Sequence, residues 1–91
     1  MINLKIATRL REIYEIPSGN YKLDNVVNIT DVVFLMEEKH PGIKNDLILE
    51  NGHIRPDVIF YLDGEPVEPE AVNTELSNVS TIRIVQAMAG G

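Results

Sequence analysis

The run Val58-Ile59-Phe60-Tyr61-Leu62, closed at once by Asp63-Gly64, constrains the fold of this chain more than any other stretch. Consecutive β-branched and aromatic residues with almost no polar interruption make a strand suited to the interior of a sheet. Asp-Gly accepts positive φ at both central positions of a tight turn, so the chain must return antiparallel. Pro66 and Pro69 then mark the ends of pairing.

Other segments supply the neighbours. Met1 to Ala7 alternate, with Ile2, Leu4 and Ile6 on one face and Asn3 and Lys5 on the other, as a half-buried strand requires. "ATRLREIYEIPSGN" passes through Arg9, Arg11 and Glu12 to the breakers Pro17, Ser18, Gly19 and Asn20. It reads as a wide basic loop, after which "YKLDNVV" turns back as a second strand. Asn51-Gly52 signals another hairpin, so antiparallel strands are expected around 47–50, 53–55, 58–62 and 65–67. "STIRIV" at 80–85 is the last strand, with Ile82 and Ile84 inward.

"NITDVVFLMEEKHPG" is the one clear helix. Asn28 can cap the free amides, Asp31 favours the positive end, and Ile29, Val32, Val33 and Met36 fall on one face. Pro41 stops it near Lys39 or His40, and Gly42 can take a left-handed conformation. The fold class is α+β, a mixed sheet with one main helix laid on one face.

The chain has 91 residues, 44% of them hydrophobic, which suits one core without room for a deep substrate cleft. Its formal charge of −6 opposes nucleic-acid and membrane-surface binding and favours a partner with a basic face. No cysteine is present, which removes disulfides, thiolate metal sites and a catalytic thiol. "MINLKIATRL" lacks the apolar core of a signal peptide, and no apolar run approaches a membrane span, so a cytoplasmic protein is expected.

Candidate chemistry inside the chain is sparse. His40 and His53 have no second ligand at metal spacing, so no metal site is expected. Arg9, Arg11 and Lys22 could form a small basic patch, but a solvated loop is the better reading of them. Glu37-Glu38 and Glu68 with Glu70 read as solvated faces rather than acid/base dyads. No Ser-His-Asp arrangement or phosphate-cradling glycine loop is visible.

Attention therefore moves to "QAMAGG", residues Gln86 to Gly91. Its reactive group is the Gly91 carboxylate, which becomes an acyl donor only once activated, for example as a mixed anhydride with AMP. Glycines without Cβ pass a narrow channel, and Met88 to Gly91 extended reach roughly 13 Å. Ordering each tail residue costs about 1–2 kcal/mol, so the sheet must hold the partner. The expected partner-binding residues are Phe60, Val85, Ala87, Met88, Ala89 and Gly90, with 87–91 as an extended tail on a single domain spanning 1–91.

Over essentially its whole length the chain resembles the ubiquitin-like sulfur carriers, typified by the small subunit of molybdopterin synthase and including the small protein modifiers of archaea. "IATRLRE", "LMEEKHPGI", "IRPDVIFYLDGEPV" and "TELSNVSTIRIVQAMAGG" carry the resemblance. Two departures are Asn78-Val79-Ser80 in place of an Asp-Gly-Asp type turn, and Gln86 where the family often has Pro. The resemblance implies a β-grasp fold and a cycle in which a ubiquitin-activating-type enzyme adenylates Gly91 with ATP. Sulfur from a donor enzyme then displaces AMP to leave a thiocarboxylate, for delivery to a pterin precursor on the synthase large subunit. It implies no cofactor bound to the carrier itself. Two other roles stay open: a modifier joined to lysines through Gly91, and an interaction domain that is never activated.

Overall fold

A computed structural model describes residues 1–17 and 21–87. Its elements in chain order are β1 (Ile2–Ile6), α1 (Thr8–Ile13), β2 (Tyr21–Leu23), α2 (Ile29–Lys39), α3 (Ile43–Leu47), β3 (Val58–Leu62), β4 (Glu65–Pro66) and β5 (Thr81–Gln86). The strands form one sheet in the order β2-β1-β5-β3-β4. β1 and β5 run parallel, while the other neighbours are antiparallel.

Alternation along the strands decides what is buried. Ile2, Leu4, Leu23, Val58, Phe60, Ile82 and Ile84 point to one side and share a core with Ile29, Val32, Val33 and Met36 of α2. Those four helix residues are the ones the sequence periodicity selects, and each is fully buried. Burial of each such side chain contributes about 1.5–3 kcal/mol. The N-terminus of α2 is capped reciprocally. Asn28 Oδ1 accepts from the Asp31 amide at 2.9 Å, and Asp31 Oδ2 accepts from the Val27 amide at 2.8 Å.

At the other end of α2, Gly42 takes φ 103° as the chain turns into α3. The Glu37 carboxylate accepts amide hydrogens from Gly42 at 3.0 Å and from Lys44 at 2.9 Å, which holds that carboxyl below its usual range. Half of the acidic pair Glu37-Glu38 is thus a cap for α3. Behind it the Tyr14 hydroxyl donates to Asp46, and this bond, with burial, pushes the phenol up to about 12.

Two expectations need correction. The basic loop after β1 contains α1, anchored by the buried Leu10. It stops in a Schellman geometry: Glu15 adopts φ 53°, and the Ile16 amide donates back to the Arg11 carbonyl at 2.8 Å. The hairpin expected at 47–50 and 53–55 shrinks to a single bridge, Ile48 to Ile54. Its first residue, Leu47, is drawn into α3, because Ile43 and Leu47 bury on one helical face. Around Asn51-Gly52 only Gly52 has positive φ, and its amide closes the turn on the Leu49 carbonyl at 2.9 Å. At Asp63-Gly64, by contrast, both residues have positive φ, as the two-residue turn demands.

Candidate functional site

The site is the outward face of the sheet together with the point where the chain leaves it. β5 lies at the centre, between β1 and β3. Its outward residues are Thr81, Arg83 and Val85, because Ile82 and Ile84 are committed to the core. Register places Lys5 of β1 and Tyr61 of β3 on either side of Arg83, and Ile59 beside Val85. A shallow groove of about 630 Å³ runs over this surface, lined by Tyr61, Asp63, Gly64, Thr81, Arg83 and Val85.

One carboxylate at the groove's rim is already engaged. Asp63 accepts amide hydrogens from Ser80 at 3.1 Å and Thr81 at 2.9 Å, tying the β3–β4 turn to the start of β5. This bond set stands where the resembling family often has an Asp-Gly-Asp type turn.

The exit of the chain is held by Asp57. Gln86 pairs with Val58 as the last register pair, and the Ala87 amide donates to the Asp57 carbonyl at 2.7 Å. Arg55 Nε donates to Asp57 Oδ1 at 3.0 Å, while Arg55 Nη1 donates to the Asn45 carbonyl at 3.1 Å. The Arg55 bond keeps the Asp57 carboxyl below its usual range, with smaller help from its own amide and the Gln86 side chain. Gln86 therefore has a fixed backbone without the ring that Pro would bring.

The expected site residues separate as follows. Val85 is half-buried on the outward face and Ala87 is exposed at the exit. Phe60 is a correction: it is 0% exposed, since its place in the alternation of β3 turns it into the core beneath α2, away from any docking face. Ile59 and Tyr61 hold the outward positions instead. Met88, Ala89, Gly90 and Gly91 lie outside the described residues. Lys5, Arg55, Asp57, Tyr61 and Arg83 were not singled out as site residues by sequence. The signal that finds Lys5, Tyr61 and Arg83 is cross-strand register, which needs the β1–β5 and β3–β5 pairings to be known, while Arg55 and Asp57 emerge only from the bonds at the end of β5.

Two of the remaining candidates have structural partners. The His40 ring nitrogen lies 3.3 Å from the Tyr21 hydroxyl, and Arg11 reaches the Thr8 hydroxyl at 3.4 Å on α1. Among the described residues no group of three metal-ligating side chains exists, and no helix is long and apolar enough to cross a membrane.

A mixed sheet with a parallel central pair, a main helix across one face and a free opposite face defines the ubiquitin-like β-grasp class. The model of the ThiS family matches residues 4–91, and the chain belongs to that family of ubiquitin-like sulfur carriers. Solved structures agree on the fold. A chain of the Amycolatopsis orientalis BexX/CysO complex is 23% identical, with a TM-score of 0.83 and 100% of both chains covered. The small archaeal modifier protein 1 of H. volcanii is 12% identical with a TM-score of 0.69, covering 96% of this chain and 97% of that one. A Pyrococcus furiosus protein assigned as molybdopterin converting factor, subunit 1, is 15% identical with a TM-score of 0.66, covering 96% and 97%. Among curated proteins none matches the chain.

Proposed function

We propose that the chain carries sulfur as a thiocarboxylate on Gly91 and delivers it in molybdopterin synthesis as the small subunit of the synthase. The observation that carries this reading is that the family match runs through Gly90-Gly91, while pairing in the sheet ends at Gln86 and Ala87. The fold likeness to the P. furiosus protein supports the choice of acceptor. The chain has no cysteine, so a sulfur cargo has to ride on the terminus rather than on a side chain.

The chemistry follows from what a carboxylate lacks. A Gly91 oxygen attacks the α-phosphorus of ATP, pyrophosphate leaves, and the acyl carbon gains AMP as a leaving group. Hydrosulfide then attacks that carbon, the acyl C–O bond to AMP breaks, AMP leaves with the bonding pair, and loss of the S–H proton leaves the thiocarboxylate. Both steps use an adenylating partner's nucleotide site. The carrier's part is to hold its end in place. With four tail residues each costing about 1–2 kcal/mol to order, affinity comes from the sheet face around Val85, Ile59 and Tyr61.

The test is an incubation of the purified chain with an adenylating enzyme of this type, ATP and sulfide. The intact mass should rise by the difference between sulfur and oxygen, and a chain lacking Gly91 should not change. Absence of the shift across several such enzymes, or its persistence without Gly91, overturns the proposal. The likeness to the H. volcanii modifier favours a second reading, transfer of adenylated Gly91 to a lysine amine. Slower-migrating conjugates that vanish with Gly91 would select it.

A further inference from the structure

Asp and Glu outnumber Lys and Arg by 14 to 8 in this chain, yet the outward strand positions reverse that balance. Those positions are Asn3 and Lys5 on β1, Lys22 on β2, Ile59 and Tyr61 on β3, and Thr81, Arg83 and Val85 on β5. Every charge among them is positive. Lys5 and Arg83 stand directly opposite each other, both exposed, and among the described residues no carboxylate is paired with Lys5, Lys22 or Arg83. Like charges at facing positions weaken a sheet, so this row lowers stability without any return inside the fold. Beside it Ile59, Tyr61 and Val85 form a half-buried apolar strip, and Arg83 and Val85 line the groove together with Asp63, whose carboxylate is taken up by the Ser80 and Thr81 amides.

We propose that this face docks an acidic segment of the adenylating partner, with carboxylates on Arg83 and Lys5 and an apolar side chain over Ile59, Tyr61 and Val85. The proposal deepens the sulfur-carrier reading by naming the chemistry of its partner, and it opposes what net charge suggests. An acidic protein here meets its partner through a cationic face, so the partner contributes acidic residues around an apolar contact. Charge of this kind steers encounter and sets orientation, which matters for a tail that must arrive in register with a nucleotide site.

The first arm of the test uses the chain alone. Arg83→Glu turns the facing repulsion with Lys5 into attraction, so at low salt Tm should rise by about 2–6 °C. A fall in Tm would show Arg83 to be structural and overturn the argument. The second arm is an amide NMR titration with a soluble peptide of alternating Glu and Leu, run beside its Lys-for-Glu counterpart. Shifts should appear for the acidic peptide at Lys5, Arg83 and Val85, weaken with added salt, and weaken at least tenfold in Arg83→Glu. Equal response to the lysine peptide, shifts confined to other elements, no shifts, or self-association through this face would each overturn the proposal.

A third arm separates the two readings. If the wild-type chain gains sulfur, Arg83→Glu should raise the KM for the carrier at least tenfold with kcat retained, and an unchanged KM sinks the acidic partner. If the wild-type chain gains none, the sulfur-carrier reading falls, while the melting and titration results still decide the nature of the face.

Discussion

Asp57→Ala tests how the exit of the chain is held. The substitution leaves the backbone carbonyl that accepts from the Ala87 amide at 2.7 Å, and removes the carboxylate that takes the Arg55 bond at 3.0 Å. Both side chains are roughly one-third exposed, at 38% and 30%, so the pair is partly screened by solvent. A pair of that kind contributes about 0.5–1 kcal/mol, and for a domain of this size the loss lowers Tm by about 3–6 °C. The pH dependence has a definite sign. Because the Arg55 bond holds the folded carboxyl below its ordinary range, its contribution is present above the unfolded value and disappears as the pH falls through the folded one. Calorimetric melts of the wild type and variant should therefore differ near neutral pH and converge in strong acid. Hydrogen exchange at Ala87 should quicken in the variant, since the strand end loses its lateral tie to Arg55 and through it to the Asn45 carbonyl. A Tm gap that stays constant from neutral pH into strong acid, or unaltered exchange at Ala87, would refute the reasoning.

Other outcomes follow from the residues around α3. The Tyr14 phenol, raised from 10.0 to about 12, contributes fully below 10 and loses its contribution as pH rises through about 12. Tyr14→Phe should remove the high-pH step from an absorbance titration and lower Tm near neutrality by about 4–8 °C, matching a hydrogen bond of about 1 kcal/mol. At Gly42 an added Cβ would meet the Tyr14 ring at an ordinary 3.5 Å, so the cost of Gly42→Ala comes from φ 103°. A loss of about 1–2 kcal/mol in urea unfolding is expected, and an unchanged midpoint would mean the turn can relax.

Where the sequence was legible, one local rule sufficed. Asn28, Asp31 and the Ile29-Val32-Val33-Met36 spacing define α2 because cap chemistry and helical period agree over eleven residues. Ile2 and Leu4, and Ile82 and Ile84, alternate cleanly because each strand has one face in the core. The short α1 offered no such period, with Leu10 as its single buried residue and Glu15 rather than glycine at its left-handed end. "LILENGHI" failed for the opposite reason. Its Asn-Gly signal marked a genuine turn, but Ile43 and Leu47 were better buried as a helix, leaving one bridge where two strands were expected. The same limit explains the site. Val85 falls on the outward face that the alternation of β5 gives it, whereas Phe60 lies on the side opposite to the one expected, because an all-apolar strand does not say which face is covered. The Lys5–Arg83 juxtaposition joins residues 78 apart in sequence (83 − 5), and no local pattern carries that.

That long separation also shapes how the molecule is made. Without residues 81–86 no ladder joins the β2–β1 pair to the β3–β4 ribbon, so each half keeps an apolar face open to solvent. Closure rests on contacts between distant parts of the chain, which slows folding relative to a helical domain of similar length. During synthesis the sheet waits for its middle strand, the last of the described elements to emerge. Any enzyme that engages the residues after Gln86 thus meets them only once every strand of the described sheet has been made.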